Sequence, residues 1–358
     1  MLPLCLKIKN RRQVFKQYSH GFSYGDMKRK ISLNGIKYID HNGVAHISKD
    51  IKSIEDLIEL GDVYEYGRKY NIDLKRIFDI RESLIKLRNM VGLKEIKRTL
   101  VNQIVYFLQG FHGDDMLHTI IQGPPGVGKT MLANIIGEIY YRMNIFRSTD
   151  ERYKFVIAKR SDLIGEYLGT TAMKTQKVID RSSGGVLLID EAYSLGNSEG
   201  RDSYSKECID TLNQNLSENK SNFLCIIAGY KEALDKNFFN YNDGLRRRFP
   251  FVYTIDAYSS CELTNILYDI FRRDCWVCVR DDKINRLFEE NYKDFKNMAG
   301  DIETLAFITK IEHSKRVLFL HKNHKKVIKY VDIKNGMTGF LENREVKKDE
   351  GILSHMYM

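Results

Sequence analysis

Short apolar runs and helical patterns alternate through the middle of the chain. The apolar runs lack the strict polar alternation of half-exposed strands and cover residues 117–122, 153–158, 184–189 and 222–228. Segments with apolar residues at helical spacing follow them, over residues 131–140, 170–181 and 202–217. Such strands, separated by helices, are typical of a parallel sheet covered on both faces. The pattern predicts an α/β fold.

The two ends of the chain follow different patterns. Near the start, strands on either side of residues 41–43 predict a hairpin, and two helical segments follow it. From Ala257 onward helical patterns prevail, with a short strand over residues 327–331 and a last helix that we expect Asp332 to cap and Leu341 to end. Three domains are predicted: a small α/β extension over residues 1–87, a central α/β domain over residues 88–256 and a mostly helical domain over residues 257–345. A charged tail over residues 346–358 follows.

A glycine-rich segment, residues 123–130, joins the first apolar run to the next helix. It fits the P-loop pattern of Gly, four free positions and Gly-Lys-Thr. Glycines let backbone N–H groups close around phosphate oxygens at a helix N-terminus that favours anions. We expect Lys129 to meet the β and γ phosphates of ATP and Thr130 to bind Mg²⁺. The expected nucleotide-binding residues are Gly123, Pro124, Pro125, Gly126, Val127, Gly128, Lys129, Thr130, Met131 and Asp190.

Two carboxylates end the third apolar run. Asp190 closes the run and Glu191 follows it. The carboxyl edge of a parallel sheet would place both near the P-loop. We expect Asp190 to reach the Mg²⁺ shell through water and Glu191 to activate the attacking water as general base. Together with the P-loop, the pair predicts Mg²⁺-dependent hydrolysis of a nucleoside triphosphate.

Composition limits the cellular compartment and the partners that we expect. No apolar run approaches the roughly 20 residues of a membrane helix, so we expect no membrane partner. The six cysteines are scattered, which favours a reducing, cytoplasmic compartment. Cys275 and Cys278 form a lone CxxC pair, for which ordinary packing is the simpler interpretation than metal. The net charge of +10 would suit an anionic partner, but the basic clusters are dispersed along the chain.

Three consecutive arginines, residues 246–248, stand between a polar turn and a further strand. A guanidinium from a neighbouring subunit can stabilise charge on a transferring phosphoryl group. The alternative is a basic helix end that meets the helix dipole. We expect at least one of Arg246 and Arg248 to be such a catalytic arginine.

Residues 88–345 resemble an AAA+ ATPase of the type that includes the red-type Rubisco activase and stage V sporulation protein K. The resemblance rests on an ordered series of segments, residues 90–93, 123–130, 162–169, 185–195, 228–230 and 244–251. It implies a P-loop AAA+ αβα sandwich with a five-stranded parallel sheet, followed by a helical lid. It also implies a hexameric ring of identical subunits with nucleotide between them.

The same resemblance assigns one loop to the central pore of the ring. Tyr167, Leu168 and Gly169 fall where these ATPases carry an aromatic loop that grips a polypeptide. An aromatic ring can push on many sequences because its grip is steric and apolar. The alternative is that Tyr167 only packs beside the next helix.

Two positions depart from the family pattern. The strand that often ends in Asn or Thr ends here in Ala228, Gly229 and Tyr230. Glu303 stands where relatives carry a lid arginine, and Lys310 is a nearby substitute. The change at Glu303 predicts that the lid couples to nucleotide differently from that of relatives.

The leading hypothesis is a ring-forming AAA+ ATPase that uses ATP and Mg²⁺ to remodel or partly thread a protein client. An ATP-driven nucleic-acid motor or loader is the alternative, which the charge of +10 motivates. The chain shows no helicase motif set in its favour. A third hypothesis is a nucleotide-regulated scaffold with weak hydrolysis.

Overall fold

The computed structural model describes residues 31–33, 36–41, 43–146, 152–167, 169–196, 202–241, 244–321 and 325–356. They divide into two units. One lies within Met1–Asp50 and Glu65–Ile72, and the other within Ile51–Tyr64 and Asp73–Met358. Within these described ranges, every helix is too short or too polar to cross a membrane.

The smaller unit is a four-stranded sheet. Its strands are β1 Ile31–Leu33, β2 Ile36–His41, β3 Val44–Ser48 and β4 Lys69–Tyr70. The first three pair antiparallel, and β4 adds to β3 in parallel. The Asn71 side chain accepts the Ile47 N–H at 2.8 Å and donates to the Ile47 carbonyl at 3.0 Å. The predicted hairpin is confirmed by β2 and β3, whereas Asn42 in its turn lies outside the described residues.

Three helices open the larger unit: α1 Ile54–Asp62, α2 Leu74–Asn89 and α3 Lys94–Leu108. Ser53 and Asp56 form a reciprocal cap on α1, each side chain accepting the backbone N–H of the other. Apolar residues of α1 and α2 share one buried core with α3. The structure therefore groups α1 and α2 with the larger unit. The domain boundary at residue 87 stays a prediction.

A five-stranded parallel sheet forms the centre of the larger unit. Its strands are β5 Thr119–Gln122, β6 Phe155–Ala158, β7 Val186–Ile189, β8 Leu224–Gly229 and β9 Phe251–Thr254. Their order is β6-β7-β8-β5-β9, and all neighbours are parallel. The predicted α/β fold class is confirmed, and so are the five parallel strands that the family resemblance implied.

Helices cover both faces of this sheet. They include α4 Lys129–Arg142, α5 Arg160–Leu163, α6 Thr170–Ser182 and α7 Ser203–Glu218. Val186 and Leu188 of β7 pack into the core with α3 and α4, and Leu187 and Ile189 pack into the core with α6 and α7. Because successive strand residues face opposite sides, a sheet buried on both faces needs continuous apolar runs.

A helical region follows β9. Its elements are α8 Ser260–Arg273, β10 Val277–Cys278, α9 Asp282–Glu290, α10 Ala299–Val317, β11 Val327–Ile328 and α11 Tyr330–Met356. The two short strands pair in parallel. Ser259 caps α8 by accepting the Glu262 N–H at 3.3 Å. We call this region the lid, after the helical lid that the family resemblance implies.

The last helix differs from the sequence prediction at both ends. It reaches Met356 rather than Leu341, because the intervening residues are rich in good helix formers such as Glu and Lys. Asp332, expected as the cap, lies within the first turn and is 2% exposed. Its carboxylate accepts the Lys329 N–H at 2.8 Å and pairs with Arg316 at 2.7 Å. The ion pair with Arg316 of the preceding helix therefore fixes the Asp332 side chain.

Candidate nucleotide-binding and hydrolysis site

The P-loop, residues 123–130, connects the carboxyl end of β5 to the N-terminus of α4. Gly126 and Gly128 have φ of +69° and +86°, a region that favours glycine. A Cβ on Gly126 would also lie 1.8 Å from the carbonyl oxygen of Asn297 in the lid. The Ala299 N–H at the start of α10 donates to the Gly126 carbonyl at 3.1 Å. The lid therefore packs directly on the P-loop backbone.

Lys129 is folded back onto its own loop. Its Nζ donates to the carbonyls of Gly123 at 3.0 Å and Pro124 at 2.8 Å. The same atom lies 5.2 Å from the ring centroid of Tyr230. Partial burial lowers the pKa of Lys129, and the nearby charges of Asp190 and Glu191 act in the opposite direction. The ammonium is thus held by neutral partners that phosphate oxygens can replace.

The predicted carboxylates lie beside the P-loop as expected from the strand order. Asp190 follows β7, and its Oδ2 accepts from the Thr130 hydroxyl at 3.4 Å. Its Oδ1 accepts the Glu191 N–H at 3.1 Å. Glu191 is exposed and has a left-handed backbone, with φ of +52°. The structure therefore brings Lys129, Thr130, Asp190 and Glu191 to one edge of the sheet.

The Thr130 hydroxyl and the Asp190 carboxylate suit Mg²⁺, which prefers oxygen ligands and retains water. Among the described residues, no three His, Cys, Asp or Glu side chains cluster closely enough to hold a metal by themselves. A cation at this position would therefore complete its shell with phosphate and water, as Mg²⁺ does in P-loop enzymes.

Two tyrosines to which the sequence assigned no role, Tyr193 and Tyr230, stand next to these residues. Tyr193 and Tyr230 have ring centroids 5.4 Å apart at an angle of 31°. Tyr230 faces Lys129. Burial and the nearby charge of Glu191 raise the pKa of Tyr193 to about 12. Both tyrosines follow a strand of the sheet within a few residues, which is the signal that could have identified them.

The arginine segment forms a short 3-10 helix, Arg246–Arg248, just before β9. Arg246 pairs with Asp235, and its guanidinium lies 5.0 Å from the centroid of Phe239. Arg248 donates to the Ser217 hydroxyl at 3.1 Å and to the Gly244 carbonyl at 2.5 Å. Both candidate catalytic arginines are thus held by groups of their own chain.

The predicted pore loop lies between α5 and α6. Tyr167 is 71% exposed, so its side chain projects away from α6 rather than packing on it. The Thr170 hydroxyl donates to the Tyr167 carbonyl, and the Thr171 hydroxyl accepts the Gly165 N–H. Gly169 takes the N-cap position, with φ of +82°. Leu168 lies outside the described residues.

The two lid residues considered from sequence have different surroundings. Glu303 is exposed on the first turns of α10. Lys310 pairs with Asp274 at 2.5 Å and lies 5.8 Å from the Trp276 ring centroid. Its ammonium is therefore engaged inside the lid rather than with the P-loop.

The fold and the P-loop site define a P-loop ATPase of the AAA class. The model of the family described as "ATPase family associated with various cellular activities (AAA)" matches residues 119–256. A cfxQ-like protein of Acanthamoeba polyphaga mimivirus is 41% identical over 314 residues, which cover 85% of this chain and 76% of the relative. Stage V sporulation protein K of Bacillus subtilis is 36% identical, covering 52% of this chain and 59% of that protein.

Two further proteins are similar to this chain. CfxQ of Xanthobacter flavus is 29% identical, with 65% of this chain and 78% of that protein covered. A crystal structure of the FIGL-1 AAA domain in complex with ADP has a TM-score of 0.50 at 17% identity, covers 69% of this chain and 82% of the other, and shares the fold. The chain belongs to the AAA+ ATPase family of CfxQ and stage V sporulation protein K, and it is an ATP-hydrolysing enzyme.

Proposed function

We propose that this protein couples Mg²⁺-dependent ATP hydrolysis in a ring, with a hexamer as the expected assembly, to the remodelling or partial threading of a protein client. The observation that carries the proposal is the junction of the P-loop and β7, where the Thr130 hydroxyl meets the Asp190 carboxylate at 3.4 Å. The carboxylate and the hydroxyl that would hold one Mg²⁺-bound triphosphate therefore lie side by side. The cytoplasm remains the proposed location.

Each of these side chains has a separate role in the proposal. Lys129 would exchange its bonds to two backbone carbonyls for bonds to the β and γ phosphates. Thr130 would ligate Mg²⁺ and Asp190 would hold a water of its shell, and the bound ion would neutralise charge on the triphosphate. Glu191, exposed at the same edge, would take the proton of the attacking water.

The geometry of the sheet supports a catalytic arginine from a neighbouring subunit. In the pairing of β5 with β9, Thr119 lies opposite Phe251 and Gln122 opposite Thr254. The arginine segment precedes β9 and the P-loop follows β5, so they lie at opposite edges of a sheet about 13 Å deep. Arg246 or Arg248 would therefore serve the nucleotide of another subunit, as a ring arrangement requires.

Client contact is assigned to the loop that carries Tyr167. The loop backbone is held against α6 by the Thr170 hydroxyl, which donates to the Tyr167 carbonyl at 2.6 Å, while the ring is 71% exposed. A fixed backbone with an exposed aromatic ring suits steric pushing on a polypeptide. Leu168 and Gly169 would complete the contact.

The test is steady-state ATP hydrolysis by the purified oligomer, alone and with an unfolded polypeptide or single-stranded DNA. We expect polypeptide to stimulate hydrolysis in the wild type and not in Tyr167→Ala, with basal hydrolysis retained. Stimulation by DNA alone, equal in Tyr167→Ala, would establish the nucleic-acid motor instead. Hydrolysis without stimulation by either would contradict client threading.

A further inference from the structure

The guanidinium of Arg160, at the start of α5, joins three segments of the larger unit. Its Nη1 donates to the Ser194 carbonyl at 2.7 Å and to the Ser205 hydroxyl at 3.0 Å. Its Nη2 donates to the Asp202 carboxylate at 2.7 Å. Ser194 lies in the short 3-10 helix Ala192–Leu195, whereas Asp202 and Ser205 lie at the start of α7. These bonds are charge-assisted and directional, so they fix the planar guanidinium between the three segments.

The 3-10 helix adjoins the hydrolysis site. It follows Glu191 directly, and the Ser194 N–H donates to the Glu191 carbonyl at 2.8 Å. The same helix packs over the end of β8, where a Cβ on Gly229 would lie 2.9 Å from Cδ1 of Tyr193. Since one turn of backbone connects Ser194 to Glu191, a displacement of the Ser194 carbonyl would also move the candidate general base.

The helix α5 leads in the other direction to the predicted pore loop. α5 and this loop are both bonded to α6, because the Thr175 hydroxyl donates to the Leu163 carbonyl at 3.0 Å and the Thr170 hydroxyl donates to the Tyr167 carbonyl at 2.6 Å. The loop also packs closely on α6, since a Cβ on Gly165 would lie 2.1 Å from Oγ1 of Thr170. A force on the exposed Tyr167 ring would therefore move α5 together with the loop.

We propose that Arg160 is a positioning residue that couples the pore loop to the hydrolysis site, so that a client displacing Tyr167 changes the orientation of Glu191. The displacement passes through α5 and the bond from Arg160 to the Ser194 carbonyl, and chains of such contacts can carry coupling between sites. Burial acts to raise the pKa of Asp202, but its hydrogen bonds, including the one from Arg160, lower it to about 2. The Asp202 carboxylate therefore stays ionised and holds the guanidinium at neutral pH. The inference rests on the proposed roles of Tyr167 and Glu191.

The experiment keeps the charge of Arg160 and removes its shape. In Arg160→Lys, an ammonium cannot reproduce the planar fork that joins the Ser194 carbonyl to the Asp202 carboxylate. ATP hydrolysis by the full-length protein is measured with and without a reduced and carboxymethylated polypeptide, which stays unfolded. Stimulation should be about five-fold or more in the wild type and close to none in Arg160→Lys. Arg142→Lys is the matched control and should respond like the wild type, because Arg142 also donates two nitrogens to one carboxylate, that of Glu138, at 3.1 and 2.9 Å.

The affinity for the same polypeptide separates coupling from a structural role. Coupling between two binding sites is reciprocal, so the bound nucleotide should change the affinity for the client. Fluorescence anisotropy should give Kd values that differ about five-fold or more between a non-hydrolysable ATP analogue and ADP in the wild type, and that agree within about two-fold in Arg160→Lys.

Two results would overturn the inference. Stimulation of Arg160→Lys as in the wild type would show that the arginine transmits nothing. Loss of polypeptide binding by Arg160→Lys in both nucleotide states would show that the arginine only shapes the loop. A wild-type protein that neither binds the polypeptide nor responds to it would instead refute the client contact of the proposed function, and the inference with it.

Discussion

The two edges of the central sheet, one where its strands end and one where they begin, both carry candidate functional side chains, but they hold them differently. At the carboxyl edge, Lys129 contacts two backbone carbonyls and the face of Tyr230, which a phosphate can replace. At the amino edge, Arg246 has an ion pair with Asp235 and Arg248 has hydrogen bonds to Ser217 and Gly244. The carboxyl edge is thus arranged to receive a ligand, whereas the amino edge fixes charge in place.

This difference suits a division in which one subunit would bind the nucleotide and its neighbour would stabilise the transition state. A group that stabilises a transition state is most effective when its position is set before the reaction, because no reorganisation is then needed. Arg246 and Arg248 are fixed by their own chain, so they would meet that condition for the nucleotide of a neighbouring subunit. The contacts of Lys129 can be replaced by phosphate, which suits nucleotide binding. The predictions below test each edge in turn.

The largest effect is expected at the carboxyl edge, from Lys129→Ala. Loss of charge-assisted bonds to two phosphates should weaken ATP binding by about 100-fold or more and abolish hydrolysis. Titration with a fluorescent ATP analogue measures the affinity. Lys174→Ala is the matched control, because Lys174 also donates to two backbone carbonyls, those of Ser161 and Ile164. Equal weakening in both variants would show a general effect of losing a partly buried amine.

The amino edge should act only across subunits. Arg248→Ala is expected to reduce hydrolysis about 10³-fold while ATP still binds, because the transferring phosphoryl group loses its guanidinium. Mixing Arg248→Ala with Lys129→Ala, each inactive alone, should restore up to about a quarter of the wild-type rate, since random rings contain interfaces with both groups intact. Failure of every mixture to recover activity would argue that Arg248 works within its own subunit or not at all.

The sequence predicted the backbone of the site better than its side-chain partners. The apolar runs and the P-loop spacing are local patterns. They placed Asp190 correctly because it directly follows a strand, and Lys129 because it begins the helix after the P-loop. The contacts of Tyr193 with Tyr230 and of Lys129 with Tyr230 depend on β7, β8 and β5 being neighbours. Periodicity does not encode strand order, so these partners were missed.

The same limit explains the error at Asp332. Its position next to a helix start fits a local cap, but the side chain is buried with Arg316 and His313 of the preceding helix. Ion pairs between helices arise from packing, which a single helical pattern does not contain. The helix α11 is longer than predicted for another reason. The charged residues after Leu341 indicate a tail by their polarity, but many of them favour helix.

A histidine beneath the arginine segment should make the stability of the larger unit depend on pH. His118 is fully buried, and its ring centroid lies 6.0 Å from that of Phe249. Its Nδ1 accepts the Cys225 N–H at 3.1 Å. Burial lowers the pKa of His118 to about 4. Below about pH 6.5 the unfolded chain binds a proton that the folded chain does not, so stability falls as pH decreases toward 4.

The expected loss from this histidine is roughly 2 kcal/mol between pH 7 and pH 5. His118→Gln should be less stable than the wild type at pH 7 and should lose less on acidification. Urea unfolding at both pH values, monitored on the nucleotide-free protein, gives the comparison. Parallel pH profiles for the two proteins would mean that His118 does not titrate in this way.

The smallest effect is expected from Ser217→Ala, which tests how closely the amino edge must be held. The Ser217 hydroxyl accepts from Nε of Arg248 at 3.1 Å, and Ser217 is partly buried at the end of α7. Among the described residues, its loss leaves Arg248 with the Gly244 carbonyl as a hydrogen-bond partner. Hydrolysis should therefore fall about three-fold, the effect of one lost hydrogen bond that orients the guanidinium, while ATP affinity is unchanged.

Steady-state kinetics of Ser217→Ala beside Arg248→Ala and the double variant would measure this dependence. If Ser217 acts through Arg248, the double variant should hydrolyse ATP no more slowly than Arg248→Ala alone. A Ser217→Ala protein with an unchanged rate would mean that the Gly244 contact suffices to hold the guanidinium. In that case the contrast between the two edges would depend on the backbone of the arginine segment rather than on its side-chain bonds.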